Sequence, residues 1–283
     1  MYIWLAQTSK NGMAWSPPEL KPENAELLKD FAYVLGWLIK GDGSVFRSGS
    51  HFVVKIKCRD YDAVYAASRA LSNILRKKFA RPRQDEGFWV VVYYSKAFVL
   101  WWGQQNLSSL KRFVEFDENT MKEFIRGYFD SDGTVSDYEV GLCGAEGHIE
   151  VLSYARQICL RLGMRVGPIR VYRDIGTCTT RSGKRITSKQ KGLIFYVNAG
   201  DFLKTIGGFH HKARDEKLRR MIKGRRWTPW PAEKREEVLE LVRQGLSIKE
   251  AARRVGVPYL TAYYWVRRGT RSWEEYASER RGA

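Results

Sequence analysis

Little in this chain is suited to covalent or metal cross-linking. Among 283 residues there are four cysteines, and Cys58, Cys143, Cys159 and Cys178 show no C-x-x-C spacing, so neither a zinc site nor a disulfide framework is expected. A reducing compartment fits, a prokaryotic cytosol or an organelle. No apolar run approaches the roughly 20 residues of a membrane span, and the N-terminus lacks a signal-peptide pattern. No membrane partner and no targeting are expected. Acids are in deficit: Lys and Arg number 49 against 31 Asp and Glu, a net charge of +18. Such an excess attracts a polyanion, nucleic acid first. With 13% aromatic residues and ten Trp, the chain is too apolar for a disordered basic tail. Its length suits one large or two ordinary domains.

What is present is organised around one stretch that occurs twice. Phe31 to Ser44 (Phe-Ala-Tyr-Val-Leu-Gly-Trp-Leu-Ile-Lys-Gly-Asp-Gly-Ser) has a second version in Phe124 to Thr134 (Phe-Ile-Arg-Gly-Tyr-Phe-Asp-Ser-Asp-Gly-Thr). Each is an apolar helix running into a small residue and Asp-Gly. Phe31, Val34, Leu35, Leu38 and Ile39 share one helical face, as do Met121, Phe124, Ile125, Tyr128 and Phe129. Thr120 with Glu123 forms a capping box to start the second helix. Gly41-Asp42-Gly43 and Ser131-Asp132-Gly133 are expected to stop the helices through a glycine at positive φ.

The acids stand where the helix macrodipole disfavours them, at C-terminal ends. A single copy is an ordinary Asp-Gly turn. Two copies, 132 − 42 = 90 positions apart, ask for a joint explanation. Helices packed side by side as a pseudo-two-fold pair would bring both carboxylates and nearby carbonyl oxygens to one spot. Hard oxygen ligands at negative helix ends are a site for Mg²⁺.

The rest of the chain repeats with the same period. An apolar, proline-bearing arm (1–21) leads in, and Pro22 opens a helix through Lys40. Short strands follow at Ser44–Arg47 and Phe52–Cys58, the second with Lys55 and Lys57 alternating with Val54 and Ile56, a half-buried strand with one basic face. Helix is predicted for Asp60–Lys78, strand for Phe88–Tyr94 and a short helix for Lys96–Gln104. After the second motif come a strand at Tyr138–Cys143 and a helix at His148–Leu162. A strand at Val166–Arg173, a polar loop at Gly176–Lys191, a strand at Leu193–Val197 and a helix at Phe202–Ile206 complete the half. The fold class is α+β, with two repeats (22–116 and 117–222) whose antiparallel sheets carry helices on one face and leave the other open. Cys58 and Cys143 align as small core residues. The Gly176–Lys191 loop holds Arg181, Lys184, Arg185, Lys189 and Lys191 with no acid, a phosphate-contacting finger. His210 and His211 are proton-transfer candidates beside a basic helix bearing Lys212, Arg214 and Lys217.

The two motifs resemble those of the LAGLIDADG homing endonucleases in their single-chain, two-motif form. Gly127 lies five positions before Asp132 as in the family, whereas Gly36 lies six before Asp42 and puts Trp37 at the small helix-contact position. The resemblance implies αββαββα repeats whose sheets form a saddle in the DNA major groove. It also implies Mg²⁺, with Mn²⁺ as a substitute, at Asp42, Asp132, Gly41 and Ser131. Phosphodiesters in both strands of a long, asymmetric duplex target would be hydrolysed across a minor groove, leaving short 3′ overhangs. Lys212 matches the lysine reaching the scissile phosphate, and either Arg59 or Lys57 plays that part in the first half. Base and phosphate contacts would come from Arg47, Lys55, Lys57, Arg170 and Arg173 and the finger. The protein would act as a monomer.

Composition changes at a basic linker (223–230) rich in Pro and Trp. Beyond it, 231–283 reads as a small all-α domain: a helix from Ala232 to Gln244, a capping box at Ser247–Glu250, a helix at Ile248–Val255, a turn at Gly256 and a helix through Arg268. This resembles the helix-turn-helix modules of resolvases and transposases. Its recognition helix would expose Tyr259, Thr261, Ala262 and Tyr264 or Tyr263, with Arg267 and Arg268 on the backbone.

Rival functions are an RNA maturase that binds its host intron, and a non-cleaving DNA-binding regulator on the same fold. Retention of both acids favours the endonuclease. With no nucleophilic first residue and no terminal His-Asn, an intein-embedded enzyme is not expected; an intron-encoded one is.

Overall fold

A computed structural model describes residues 15–136, 139–179, 185–223 and 232–268. The chain divides into two compact units, Met1–Gly224 and Arg225–Ala283. In the first, a 3₁₀ turn (Pro22–Asn24) leads into α1 (Ala25–Leu38), followed by β1 (Gly43–Ser48), β2 (His51–Cys58), α2 (Tyr61–Leu75), β3 (Arg83–Asp85), β4 (Phe88–Tyr94), α3 (Lys96–Trp102) and α4 (Leu107–Val114). The same series resumes with α5 (Glu118–Asp132), β5 (Gly133–Val135), β6 (Glu139–Ala145), α6 (Ile149–Arg161) and β7 (Arg170–Arg173). A hairpin of β8 (Gly176–Thr179) and β9 (Arg185–Ser188) is inserted before β10 (Gly192–Asn198), α7 (Ala199–Ile206) and α8 (Lys212–Lys223).

The duplication is visible in the sheets. One has strand order β1-β2-β4-β3 and the other β5-β6-β10-β7; counting strands within each half and setting the inserted hairpin aside, both read 1-2-4-3, and all pairings are antiparallel. Side-chain alternation sets their faces. Val54, Ile56 and Cys58 on β2 are buried, while Lys55 and Lys57 between them are only half-buried. α2 packs on β2 and β4, and α6 on β6 and β10, so each sheet has one helix-covered face.

At the centre α1 and α5 pack together. α1 is buried from Phe31 to Leu38 on every side, which the apolar-face pattern alone did not require. The close approach is made by glycine. A Cβ at Gly36 would lie 2.5 Å from the Phe124 carbonyl oxygen and 2.5 Å from the Tyr128 nitrogen, and one at Gly127 only 2.1 Å from the Tyr33 carbonyl oxygen. Trp37, at the position where the family pattern has a small residue, is fully buried as part of the core.

Several expectations are corrected. α5 is capped by Asp117 and Thr120, not by Thr120 and Glu123: Asp117 Oδ1 accepts the Thr120 N–H at 2.7 Å and Thr120 Oγ1 accepts the Asp117 N–H at 3.0 Å. Thr120 Oγ1 also donates to the Val114 carbonyl oxygen at the end of α4, and Glu123 pairs with Arg126 instead. Gly41, Gly43 and Gly133 do not adopt positive φ. They are glycines for want of space: a Cβ would meet Ser131 Oγ at 2.3 Å, Leu38 Cδ2 at 2.7 Å and the Phe129 carbonyl oxygen at 2.2 Å, respectively. The strand expected over Val166–Arg173 is confined to Arg170–Arg173, with Val166 making an isolated bridge to Val197. The loop expected at Gly176–Lys191 contains the β8–β9 hairpin, and β3 and α4 were not anticipated at all.

From the lead-in, Trp15 docks on Phe98 and Trp101 with ring centroids 4.9 and 5.2 Å away, and its indole N–H donates to the Ile74 carbonyl oxygen at 2.7 Å. The second unit has its own core. α9 (Ala232–Arg243), α10 (Ile248–Val255) and α11 (Tyr259–Arg268) bury Val238, Ala251, Ala252, Val255, Val257 and Ala262. Ala262, expected on the exposed side of the third helix, therefore faces the core. Ser247 caps α10 by accepting the Glu250 N–H, and Gly256 turns the chain with φ 70°. No helix among the described residues is long and apolar enough to cross a membrane.

Glycine-to-alanine exchange in a helix ordinarily stabilises by about 1 kcal/mol. At Gly127 the sign should reverse, because backbone blocks the added methyl. Gly127→Ala is expected to destabilise the protein by about 3 kcal/mol, read as a fall in the urea midpoint at unchanged m-value.

Candidate active site

The α1–α5 seam delivers Asp42 and Asp132 to the same place. Ser131 joins them: its Oγ accepts the Asp42 backbone N–H at 2.6 Å and lies 3.1 Å from Asp132 Oδ2, to which it donates. Burial, and next the charge of Asp42, push the Asp132 carboxyl up to about 7, against smaller lowering from Ser131 and Arg214. Asp42 is exposed at its surface, yet enough protein surrounds its carboxyl that desolvation raises it, opposed by Arg214. Two carboxylates that burden one another at negative helix ends call for a cation.

The protein supplies one from its own chain. Arg214 in the first turn of α8 reaches across to the end of α5. Its Nη1 donates to the carbonyl oxygens of Phe129 at 2.9 Å and Asp130 at 2.6 Å, and Nη2 donates to that of Ser131 at 3.3 Å. The Ser131 carbonyl thus faces a guanidinium and its hydroxyl is engaged with Asp42 and Asp132. The sequence pattern places Arg214 only on a basic helix face; the structure turns it to the end of α5. Lys212, read as the phosphate-facing lysine, is the exposed first residue of α8.

A buried acid aims Arg214. Asp130 is fully buried and gathers both halves: Tyr33 of α1 donates its hydroxyl to Oδ2 at 2.9 Å, and the backbone N–H groups of His210 and His211 donate to Oδ1 at 3.0 and 3.1 Å. His210 Nδ1 lies 3.0 Å from Oδ2, its ring edge-on to Tyr33. His211 Nδ1 lies 3.2 Å from Oδ2 of Asp60, the N-cap of α2. The histidines read as proton-transfer candidates are therefore bound to carboxylates, and burial holds His211 below its ordinary value, with the Arg214 charge adding to the effect. The segment from His210 to Arg214 ties the end of the second half to the first.

The other basic residues are distributed over the open faces. Lys57 Nζ and Arg59 Cζ lie 4.6 and 5.4 Å from the Phe88 ring centroid, flanking one aromatic at the end of β2 nearest Asp60. Lys55 follows two residues back on the same face, and Arg47 sits 5.4 Å over Phe52. In the second sheet Arg170 is exposed and Arg173 half-buried against Tyr172. Lys189 is exposed beyond β9, and the backbone of Arg185 opens that strand. Arg181, Lys184 and the side chain of Arg185 lie outside the described residues. In the second unit Tyr259 and Tyr263 are exposed on one side of α11 with ring centroids 6.0 Å apart, and Thr261 is half-buried. The side chains of Tyr264, Arg267 and Arg268 lie outside the described residues.

The donor set decides which metal fits. Among the described residues no cluster of three or more His, Cys, Asp and Glu side chains is placed to hold a metal ion. Cys58 is buried in the core as expected, but Cys143 is not its counterpart: the strand register aligns it with Lys57, so it turns to the open face and is only half-buried. Both are thiols that burial raises, Cys143 to about 11. What remains is two carboxylates, hard oxygen donors suited to a small divalent cation that keeps most of its water. Mg²⁺ fits such a pair.

Residues 231–270 match the protein-family model described as a homeodomain-like domain. Over 119 residues the chain is 29% identical to "Uncharacterized protein MJ0314" of Methanocaldococcus jannaschii, a stretch covering 41% of this chain and 45% of that relative. The chain thus spans less than half the length of the curated relative it matches. Among solved structures, I-DmoI in complex with DNA and Ca is similar over 63% of this chain and 87% of that one, with 13% identity and a TM-score of 0.45. Full-length DUF199/WhiA from Thermatoga maritima is similar over 86% and 90%, with 14% identity and a TM-score of 0.45. The homing endonuclease I-WcaI bound to its DNA recognition sequence is similar over 68% and 86%, with 13% identity and a TM-score of 0.40. Likenesses of this strength leave the functional question to the site itself.

Because the folded-state value of Asp132 stands above that of an unfolded aspartate, near 3.9, its contribution to stability is complete below about pH 4 and is lost as pH rises through about 7. In metal-free protein, Asp132→Asn should flatten that decline and raise Tm at pH 8 by roughly 5 °C, with no gain at pH 4. Thermal unfolding in the presence of a chelator across this range is the measurement.

Proposed function

We propose that the first unit is a site-specific endonuclease that hydrolyses phosphodiesters in both strands of duplex DNA, and that the second unit adds to its grip on the target. One observation carries this: Asp42 and Asp132, from different halves of a duplicated fold, are joined through a single hydroxyl at the ends of two touching helices. Mg²⁺, or Mn²⁺ in its place, would be held by these two carboxylates, and when bound would polarise a scissile phosphate and assist ionisation of water.

The chain's own residues do the rest. Arg214 offsets the negative end of α5 and eases, in part, the charge on both carboxylates before a metal arrives. Lys57 and Arg59, standing together over Phe88, offer positive charge to a phosphate on the first half's side. Lys212 is free to approach one on the other. Lys55, Arg47, Arg170, Arg173 and the β8–β9 hairpin line surfaces on which duplex DNA would be read and held. The halves have diverged in sequence, which suits a long, asymmetric target bound by a monomer. The resemblance of the motifs supports a homing enzyme, intron-encoded, leaving short 3′ overhangs. The homeodomain-like match supports DNA contact by α11, through Tyr259 and Tyr263 and, on the same helix, Thr261, Tyr264, Arg267 and Arg268.

Incubating the protein with a plasmid library of randomised inserts and Mg²⁺ tests this. Double-strand cuts at one sequence are expected, reduced by about 10³-fold in Asp42→Asn and in Asp132→Asn with duplex binding retained. Specific duplex binding with no cleavage at any Mg²⁺ concentration would overturn the reading in favour of a regulator, and intron RNA binding alone in favour of a maturase. The division of labour between Lys212 and Arg214 is separately measurable. Arg214→Gln should lower kcat by about 10²-fold, while Lys212→Gln should act mainly on KM and leave the protein's unfolding unchanged.

A further inference from the structure

α2 turns one side to the core and presents the other to solvent, away from the face that carries Lys55 and Lys57. The residues alternating with those lysines are buried, and α2 packs over that buried face. On the outer side Tyr61, Tyr65 and Arg69 follow one another at helical spacing, all exposed. The two tyrosine rings are 5.8 Å apart; Tyr61 also meets Trp89 at 4.9 Å and Tyr65 meets Phe79 at 5.0 Å. This makes a continuous row of four rings, with 37% of each tyrosine open to solvent. Immediately beyond α2 come Arg76, Lys77, Lys78, Arg81 and Arg83, each exposed. From Ala63 to Gln84 there are six cations and no acid, and none of the six forms a salt bridge among the described residues.

A merely solvated charged face has no need of a row of exposed rings, and an apolar protein-docking patch would not be bordered by unpaired cations. Rings with open faces beside cations that form no salt bridge, of which Arg69 feels a neighbouring acid, Asp30, match a ligand that offers flat π-surfaces and phosphates together. Duplex DNA does not, since its bases are stacked inside the helix. We infer that the outer side of α2, continuing through residues 76–83, binds single-stranded nucleic acid by stacking bases on Tyr61 and Tyr65 and pairing phosphates with Arg69, Arg76, Lys77 and Lys78. The surface and the open sheet face point in different directions, so a single strand and a duplex can be held at once. This goes beyond the cleavage reading and does not depend on it.

Fluorescence anisotropy of the full chain, saturated with unlabelled duplex DNA, tests the inference with unstructured RNA and DNA oligonucleotides of about 16 residues. Tyr61→Ala/Tyr65→Ala and Arg76→Gln/Lys77→Gln/Lys78→Gln should each raise the single-strand Kd by about tenfold, and the triple variant should lower the salt slope by about two. Lys55→Gln/Lys57→Gln should leave single-strand binding within about twofold and weaken duplex binding instead. Binding of RNA alone would identify the 2′-hydroxyl as part of what is read, and equal binding of both strands would identify stacking and phosphate contact as sufficient; either supports the site. Single-strand binding that survives both surface variants, or that is displaced by duplex DNA and lost with Lys55 and Lys57, would overturn it. The substituted residues are exposed, and thermal unfolding identical to the parent's confirms that each variant reports on binding.

Discussion

Backbone touches backbone between α1 and α5, and the geometry of the first unit follows from that contact. Helices separated by ordinary side chains stand about 8–10 Å apart. Here Gly36 admits the Phe124 carbonyl and the Tyr128 nitrogen, and Gly127 admits the Tyr33 carbonyl. With nothing interposed, the two C-terminal ends finish side by side. Only then can the Ser131 hydroxyl take the Asp42 N–H, and only then does the charge of Asp42 weigh on Asp132. Gly41 belongs to the same constraint, because a methyl there would strike Ser131 Oγ, whereas Gly133 is kept small by the Phe129 carbonyl of its own helix. The seam also concentrates electrostatic strain, since two negative helix ends and two carboxylates share one region.

That strain is met by a relay within the chain. Asp130, sealed from solvent, accepts the N–H groups of His210 and His211 and the hydroxyl of Tyr33. A buried carboxylate so fully satisfied fixes the backbone that satisfies it. The start of α8 is set in this way, and Arg214 is aimed at the carbonyls ending α5. His211 extends the same fixture to Asp60, which accepts the Ala63 N–H as the N-cap of α2. One acid thus registers the second half's last segment against both α1 and α2.

The parts legible in the amino-acid sequence were those that repeat or alternate. The Asp42–Asp132 pairing rests on two copies of one pattern, the basic face of β2 on a period of two, and the second unit's helices on apolar spacing with Gly245 and Gly256 as stops. Illegible were the features decided by neighbours distant in the chain. Asp117–Thr120 and Thr120–Glu123 share the same three-residue spacing, so spacing alone does not tell which pair forms the cap. A glycine kept for space looks like a glycine kept for positive φ until a second chain segment is seen beside it. β3, three residues of Arg-Gln-Asp, has no apolar period to show. Lys212 and Arg214 are two positions apart at a helix start, and only the Asp130 contacts determine which one turns inward. Ala262 looked free on a helix wheel because Val257 and Ala251, which help to enclose it, lie on other parts of the chain.

Duplication without identity is what makes the relay possible. Two positions before Asp132 stands Asp130, fully buried; two before Asp42 stands Lys40, exposed. A pair of identical halves would bury two such acids or none. With only one, the chain after β10 and α7 has a single landing place, and a single guanidinium reaches the charge of both carboxylates. The carboxylates are consequently unlike each other before any ligand arrives: Asp42 is exposed and raised chiefly by desolvation, whereas Asp132 is withdrawn, bonded to Ser131 and pushed to about 7. Symmetry of fold and asymmetry of charge coexist because the seam is made by glycines, which tolerate divergence around them, while the charge is set by one acid that was not duplicated.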